Sequence, residues 1–370
     1  MWVERRKSME LKQYSEVESS ALNLIVMAAA VNCVSGSNSV NSGCYGLSAS
    51  VPQLMMLRPL KILLLCCAAL YSADIQDHTR RDMASAFPFL ASLYLLLLVP
   101  TIHGWGKDGH YTTCKLAESY FTQATSTAVQ TLLEPTGATD LATLCSWADD
   151  VREFLPWSRA LHFANVPDDA CDFEYSRDCK DSDGNLGRCV VGAIYNYTGQ
   201  LLDYVNGTQT DYNYTQSLLF LSHFLGDVHQ PLHCGHIGDK GGNTIEVYWY
   251  NTKTNLHHVW DTSMIYSEED DFYNQSVDGL VQAINQNMTG IWSSSVQTWQ
   301  TCSGSPLPCP SIYANESIKA ACQWAYPNVT DGTILGDEYF DTRYPVVNWQ
   351  LAKGGARLGA LLNLIFSSSS

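Results

Sequence analysis

The 370-residue chain is 46% hydrophobic, enough for one large domain or two small ones with a substantial core. Its formal net charge of −16 excludes a protein that grips long nucleic acid through a basic face, because neutralising phosphates needs Lys and Arg in excess. Residues 105–370 hold most of the acidity, 13 Lys/Arg against 30 Asp/Glu, so a positive site there has to come from something other than side chains, such as bound metal ions.

The chain's first apolar feature with a clear meaning is the run over residues 86–104, led by Arg80 and Arg81 and closed by Gly104, a secretory signal pattern. Its uninterrupted apolar core is shorter than the roughly 20 residues of a spanning helix, which argues against a membrane anchor. Met83 stands directly before it, so a signal peptide is expected over 83–104 and an exported domain over 105–370. Residues 1–82 are then surplus and are read as an upstream extension, an artefact of translation or gene structure, without chemistry of its own. Seven N-x-S/T sequons follow, at Asn196, Asn206, Asn213, Asn274, Asn287, Asn315 and Asn328, and point to glycosylation. Nine cysteines (Cys114, Cys145, Cys171, Cys179, Cys189, Cys234, Cys302, Cys309, Cys322) suit an oxidising compartment, and the odd count leaves at least one unpaired. Extracellular, vacuolar and endoplasmic reticulum residence all fit.

Beyond residue 105, apolar residues recur at helical spacing over 108–121, 138–154, 190–205, 214–228, 271–299, 315–325 and 346–366, which predicts an all-α domain. One strand is expected over 244–251, entered through Gly241-Gly242 and suited to a small hairpin. The loop over 168–187 is acidic and bears cysteines. No repeat or linker divides the region, so a single domain is expected.

The densest chemical signal is S-H-F-L-G-D-V-H-Q-P-L-H-C over 222–234. His223 and Asp227 are four apart and share a helix face, as shared metal coordination requires. Pro231 ends that helix and frees His233 to turn into the same cleft. N-L-H-H-V-W-D repeats the spacing in His257 and Asp261, while Asp149 lies in S-W-A-D-D-V-R, His162 in L-H-F-A-N-V-P and His110 in W-G-K-D-G-H. Imidazole and carboxylate together are what zinc takes where water keeps a coordination position. Each pair taken singly is more often a core or surface contact, and spacing alone leaves both readings open.

In their order and context these motifs (W-G-x-x-G-H, W-A-D-x-x-R, L-H-F, H-F-L-G-D-x-H-Q-P-L-H, G-G-N and H-x-x-W-D) resemble the zinc-dependent bifunctional nucleases of plants and fungi, the S1/P1 type, across essentially all of 105–366. The resemblance implies an all-α fold of the zinc phospholipase C kind with three zinc ions in a cleft. One zinc would take Asp149, His162, His223 and Asp227. A second would take His110, Asp227 as a bridge, and Trp105 through its terminal amino group and carbonyl, which requires cleavage after Gly104 because a peptide nitrogen cannot ligate. The third would take His233, His257 and Asp261. A zinc-held water or hydroxide would attack phosphorus in line, Asp149, Arg152 and Asp227 being the catalytic set, with Arg152 steadying the phosphate and products ending in 5′-phosphate. Single-stranded DNA and RNA and 3′-nucleotides would be substrates, with Phe163 stacking a base and Asn165 beside it where some relatives have an acidic residue. Cys114 and Cys145 resemble a family disulfide, and Cys234 has no obvious partner. No stable protein partner is implied, and a monomer is expected. The competing readings are a phospholipase C of the same fold and a non-catalytic zinc glycoprotein.

Overall fold

The computed structural model describes residues 105–302 and 307–367. The extension expected over 1–82 and the signal peptide expected over 83–104 lie outside the described residues. In chain order the helices are α1 (Lys107–Glu118), α2 (Gln123–Leu133), α3 (Trp147–Val151), α4 (Tyr175–Asp178), α5 (Val190–Val205) and α6 (Tyr214–Asp227). A hairpin of β1 (Glu246–Trp249) and β2 (Thr252–Asn255) follows. Then come α7 (Leu256–His258), α8 (Met264–Phe272), α9 (Val277–Thr289), α10 (Ser293–Trp299), α11 (Pro310–Ala320), β3 (Thr333–Leu335) and α12 (Asp337–Phe366). The fold is mainly helical, as the periodicity predicts.

Helix α6 is the centre of the molecule. Every residue from Ser217 to Asp227 is buried, so the helix is covered on all sides, and its last turn delivers His223 and Asp227 into the interior. Asn213 caps its first turn by accepting from the Gln216 N–H, and Pro231 begins a 3₁₀ turn over Pro231–Cys234 that redirects the chain at once. Helices α1 and α12 pack against one another closely. A Cβ at Gly355 would lie 2.5 Å from the Leu116 Cβ, so only glycine permits this approach.

Four expectations are corrected. The helix expected over 138–154 is a 3₁₀ turn (Ala142–Leu144) and the single short α3. The helix expected over 271–299 is broken into α8, α9 and α10: Asn274 and Gln275 take positive φ, and Ser276 caps a new start by accepting from the Gly279 N–H. Helix α12 begins at Asp337, not Val346. Pro345 sits inside it, and burial of Tyr339 and Phe340 ahead of the proline, about 2 kcal/mol each, offsets the roughly 3 kcal/mol that an internal proline costs. Lastly, the sheet has a third strand, β3, parallel to β1 with Tyr248 opposite Ile334. Three residues are too few to show a period in sequence.

Among the described residues no helix is long and apolar enough to cross a membrane. Cys114–Cys145 is a disulfide, as are Cys171–Cys322, Cys179–Cys189 and Cys302–Cys309, while Cys234 is a buried free thiol.

Candidate metal centre

Five histidines and three aspartates from distant parts of the chain converge at the end of α6. Three buried groups each bring three ligand atoms within 4.8 Å of one another: His110, His223 and Asp227; Asp149, His162 and His223; His233, His257 and Asp261. The two carboxylate oxygens of Asp227 face different ways. Its Oδ2 lies 3.0 Å from His162 Nδ1 and 3.1 Å from His223 Nε2, while Oδ1 lies 3.3 Å from His110 Nε2. Asp149 Oδ1 completes the first side at 3.5 Å from His162 Nδ1 and 3.7 Å from His223 Nε2. In the third group His257 Nε2 is 3.2 Å from Asp261 Oδ2, one helical turn along the continuous helical segment of α7, the π-helical Val259–Ser263 and α8.

Main-chain carbonyls decide which nitrogen three of the five histidines offer. His223 Nδ1 donates to Cys145 O (2.8 Å), His233 Nδ1 to His162 O (2.6 Å) and His257 Nδ1 to Gly241 O (2.6 Å). A carbonyl only accepts, so these Nδ1 atoms carry the proton and the Nε2 lone pairs point into the clusters. His162 is reversed and presents Nδ1. Two glycine positions make room. A Cβ on Gly226 would sit 2.9 Å from His110 Nδ1, and Gly241 takes φ 65° with its would-be Cβ against Leu232 O. Those contacts account for glycine in H-F-L-G-D and in G-G-N.

The electrostatics are those of a site assembled for a cation. Burial pushes His110 down to about 4 and lowers His162. Burial would lower His223 too, but Asp227 and Asp149 beside it outweigh that and raise it to about 9. Asp227, although buried, is held well below the usual carboxylate range by the neighbouring His223 and His233, by the close approach of His110 and by the hydrogen bond from His162. Burial pushes Asp261 in the opposite direction, well above that range. His110 Nδ1 and Nε2, His162 Nε2, Asp227 Oδ1 and His233 Nε2 are buried without a hydrogen-bond partner. Orphaned buried polar atoms cost free energy, and a divalent ion that displaces protons satisfies them. Imidazole and carboxylate donors without thiolate are the set expected of a zinc centre open to water, so these residues fit the metal.

Matches to known proteins point the same way. Residues 105–367 match the model of the S1/P1 nuclease family. This chain belongs to the S1/P1 nuclease family. It is 51% identical to Endonuclease 2 of Arabidopsis thaliana over 279 residues, 75% of this chain and 96% of that protein. It is also 35% identical to Nuclease S1 of Aspergillus oryzae over 296 residues (74% and 96%) and 30% identical to Nuclease P1 of Penicillium citrinum over 275 residues (71% and 98%). As an S1/P1 nuclease it is an enzyme that acts on nucleic acid.

The other residues expected at the site of this S1/P1 nuclease lie at the start of the domain, beside Asp149 and after His162. Trp105 is fully buried, donating from its indole N–H to Gly226 O at 3.0 Å, and Gly106 N donates to Asp261 O at 2.8 Å, which pins the start of the domain against the cluster. Arg152 is buried with Nη1 3.6 Å from Asp149 Oδ1, while the neighbouring Glu153 pairs with Arg159. Phe163 and Asn165 are half-buried and alternate with the buried Ala164 and Val166 on an extended segment whose Ala164 and Val166 N–H groups donate to His233 O and Gly235 O. The Asn165 amide donates to Gly235 O and His236 O, so its NH₂ is held by the backbone. Sequence reasoning missed Gln230 and His229. Both are buried within 222–234, and the position of Gln230 beside Pro231 was the available signal.

Proposed function

We propose that this chain is a zinc-dependent endonuclease that hydrolyses single-stranded DNA and RNA to products ending in 5′-phosphate, removes phosphate from 3′-nucleotides, and acts as an exported, glycosylated monomer with three zinc ions. The observation that carries the reading is the two-sided Asp227 carboxylate, with two histidines at one oxygen and a third at the other.

In the proposed assignment Asp149, His162, His223 and Asp227 hold one zinc, His110, Asp227 and the Trp105 amino group and carbonyl a second, and His233, His257 and Asp261 the third. Zinc bound there supplies Lewis acidity and lowers the pKa of water enough for attack at neutral pH. Asp149 and Asp227 orient the attacking water and draw on its proton. Arg152 holds the non-bridging phosphate oxygens through its planar fork as charge builds on them. Phe163 stacks one base and Asn165 borders it, which favours unpaired strands and tolerates sequence. Cleavage of the P–O3′ bond leaves the phosphate on the 5′ side.

Export is supported by the four disulfides and by exposure of Asn196, Asn206, Asn213, Asn274 and Asn328, the proposed glycan sites; Asn287 and Asn315 are half-buried. A mature N-terminus at Trp105 is supported by the packing of its indole against Gly226. The decisive experiment is hydrolysis of single-stranded DNA by protein expressed from Met83 and secreted, with and without zinc chelation. Chelator-sensitive release of 5′-phosphorylated products is expected. A zinc-loaded protein inert on DNA and active on phospholipid would overturn the proposal.

A further inference from the structure

Gln230 is fully buried and makes two hydrogen bonds that join two parts of the third cluster. Its side-chain carbonyl accepts from the Leu232 N–H at 2.5 Å and so caps the 3₁₀ turn that carries His233. Its amide NH₂ donates to Asp261 Oδ1. The other oxygen of that carboxylate, Oδ2, faces His257 Nε2.

The turn that holds Gln230 is itself gripped on several sides. Ser317 Oγ of α11 donates to Val228 O at 2.6 Å, and Gln350 Nε2 of α12 donates to His229 O at 2.9 Å. His229 Nδ1 donates to Leu225 O at 2.7 Å, while Arg357 donates to its Nε2 at 2.9 Å. With the main chain fixed, the Gln230 side chain has little freedom left, and its donor is aimed before any metal arrives.

We infer that Gln230 is a positioning residue for the His233–His257–Asp261 cluster, fixing which oxygen of Asp261 faces the metal and locking that carboxylate to the turn bearing His233. A partner of this kind around a metal ligand is worth 10–100-fold in affinity. The inference rests on the three-zinc reading.

Two substitutions separate positioning from support of the fold. Gln230→Glu keeps the acceptor for Leu232 but replaces the donor to Asp261 with an oxygen, and Gln230→Met keeps the length and loses both. The measurement is site-by-site zinc release from the holoenzyme under increasing chelator, alongside kcat and KM. One zinc of three should leave both variants at about 10–100-fold lower chelator strength, with the other two unchanged. Wild-type affinity at all three sites in Gln230→Glu overturns the inference, since a cap alone then suffices. Uniform weakening of all three sites overturns it as well, because that marks a general folding defect. Wild-type protein that binds no zinc at this cluster overturns the three-zinc reading itself, an outcome visible before any variant is made.

Discussion

His223 Nδ1 donates to the carbonyl of Cys145 across 2.8 Å, and Cys145 is bonded to Cys114 of α1, so a disulfide-bonded residue supplies the carbonyl that sets the tautomer of an imidazole in the candidate metal cluster. The bond closes a separation of 31 residues, for which chain-entropy arguments give about 3–4 kcal/mol. Replacing both cysteines with serine should lower stability by about that amount in denaturant unfolding and also weaken zinc retention, because the Cys145 carbonyl is no longer held in place. Loss of stability with unchanged zinc affinity would show that the carbonyl is positioned by α3 alone.

Asp227 holds histidines close to both of its oxygens, at 3.0 and 3.1 Å on Oδ2 and 3.3 Å on Oδ1, whereas the second-side contacts of Asp149 and Asp261 are longer, at 4.0 and 3.9 Å. Asp227→Asn, nearly isosteric, should therefore impair two zinc sites together, whereas Asp261→Asn should impair one. Metal content by mass spectrometry of the native protein, paired with single-strand cleavage, distinguishes them. Equal metal loss in the two variants would contradict the bridge.

Arg152 reaches the cluster at Asp149, 3.6 Å away, and a guanidinium offers no lone pair to a metal, so removing it should leave zinc in place and lower turnover. Arg152→Ala is expected to lose about 10²–10³ in kcat, the usual cost of deleting one donor to a developing oxyanion. Arg152→Lys should recover part of this, since a point charge replaces the planar fork. A change confined to KM would assign Arg152 to ground-state binding.

Glu268 on α8 is buried, with Oε1 accepting from Asn348 Nδ2 of α12 at 2.6 Å and Oε2 without a hydrogen-bond partner. Burial pushes its carboxyl up from 4.5 to about 8, against the opposing hydrogen bonds from Asn348 and Tyr273. Between those two values the folded chain keeps a proton that the unfolded chain has released. Stability therefore falls as pH rises through this window, by at most about 1.4 kcal/mol per pH unit from this group, and levels off above the upper value. Glu268→Gln removes the effect. Compared with wild type at the same pH, the variant should gain more stability at pH 8 than at pH 5, and an equal difference at both would show that Glu268 is ionised throughout.

Helices α5 and α6 and the His223–Asp227 and His257–Asp261 spacings were legible in the sequence because they are local: a 3.6-residue period and an i,i+4 offset place side chains on one face whatever the remainder of the chain does. The turn at Pro231 was legible for the same reason, since proline has no N–H to continue a helix. The breaks around Asn274 and Gln275 and the burial that carries α12 through Pro345 were not, because each depends on what packs against it. Tertiary structure alone decided that Asp227 divides its oxygens between two groups, that His162 offers Nδ1 while three other histidines offer Nε2, and that Gln230 reaches Asp261 across 31 residues. Tautomer and ligand orientation are set by carbonyls and amides far away in sequence, and their meeting depends on how the helices pack. By itself the sequence determined which donors are present and the local spacing of the paired ones; the packing of α1, α6 and α12 determined where their lone pairs point.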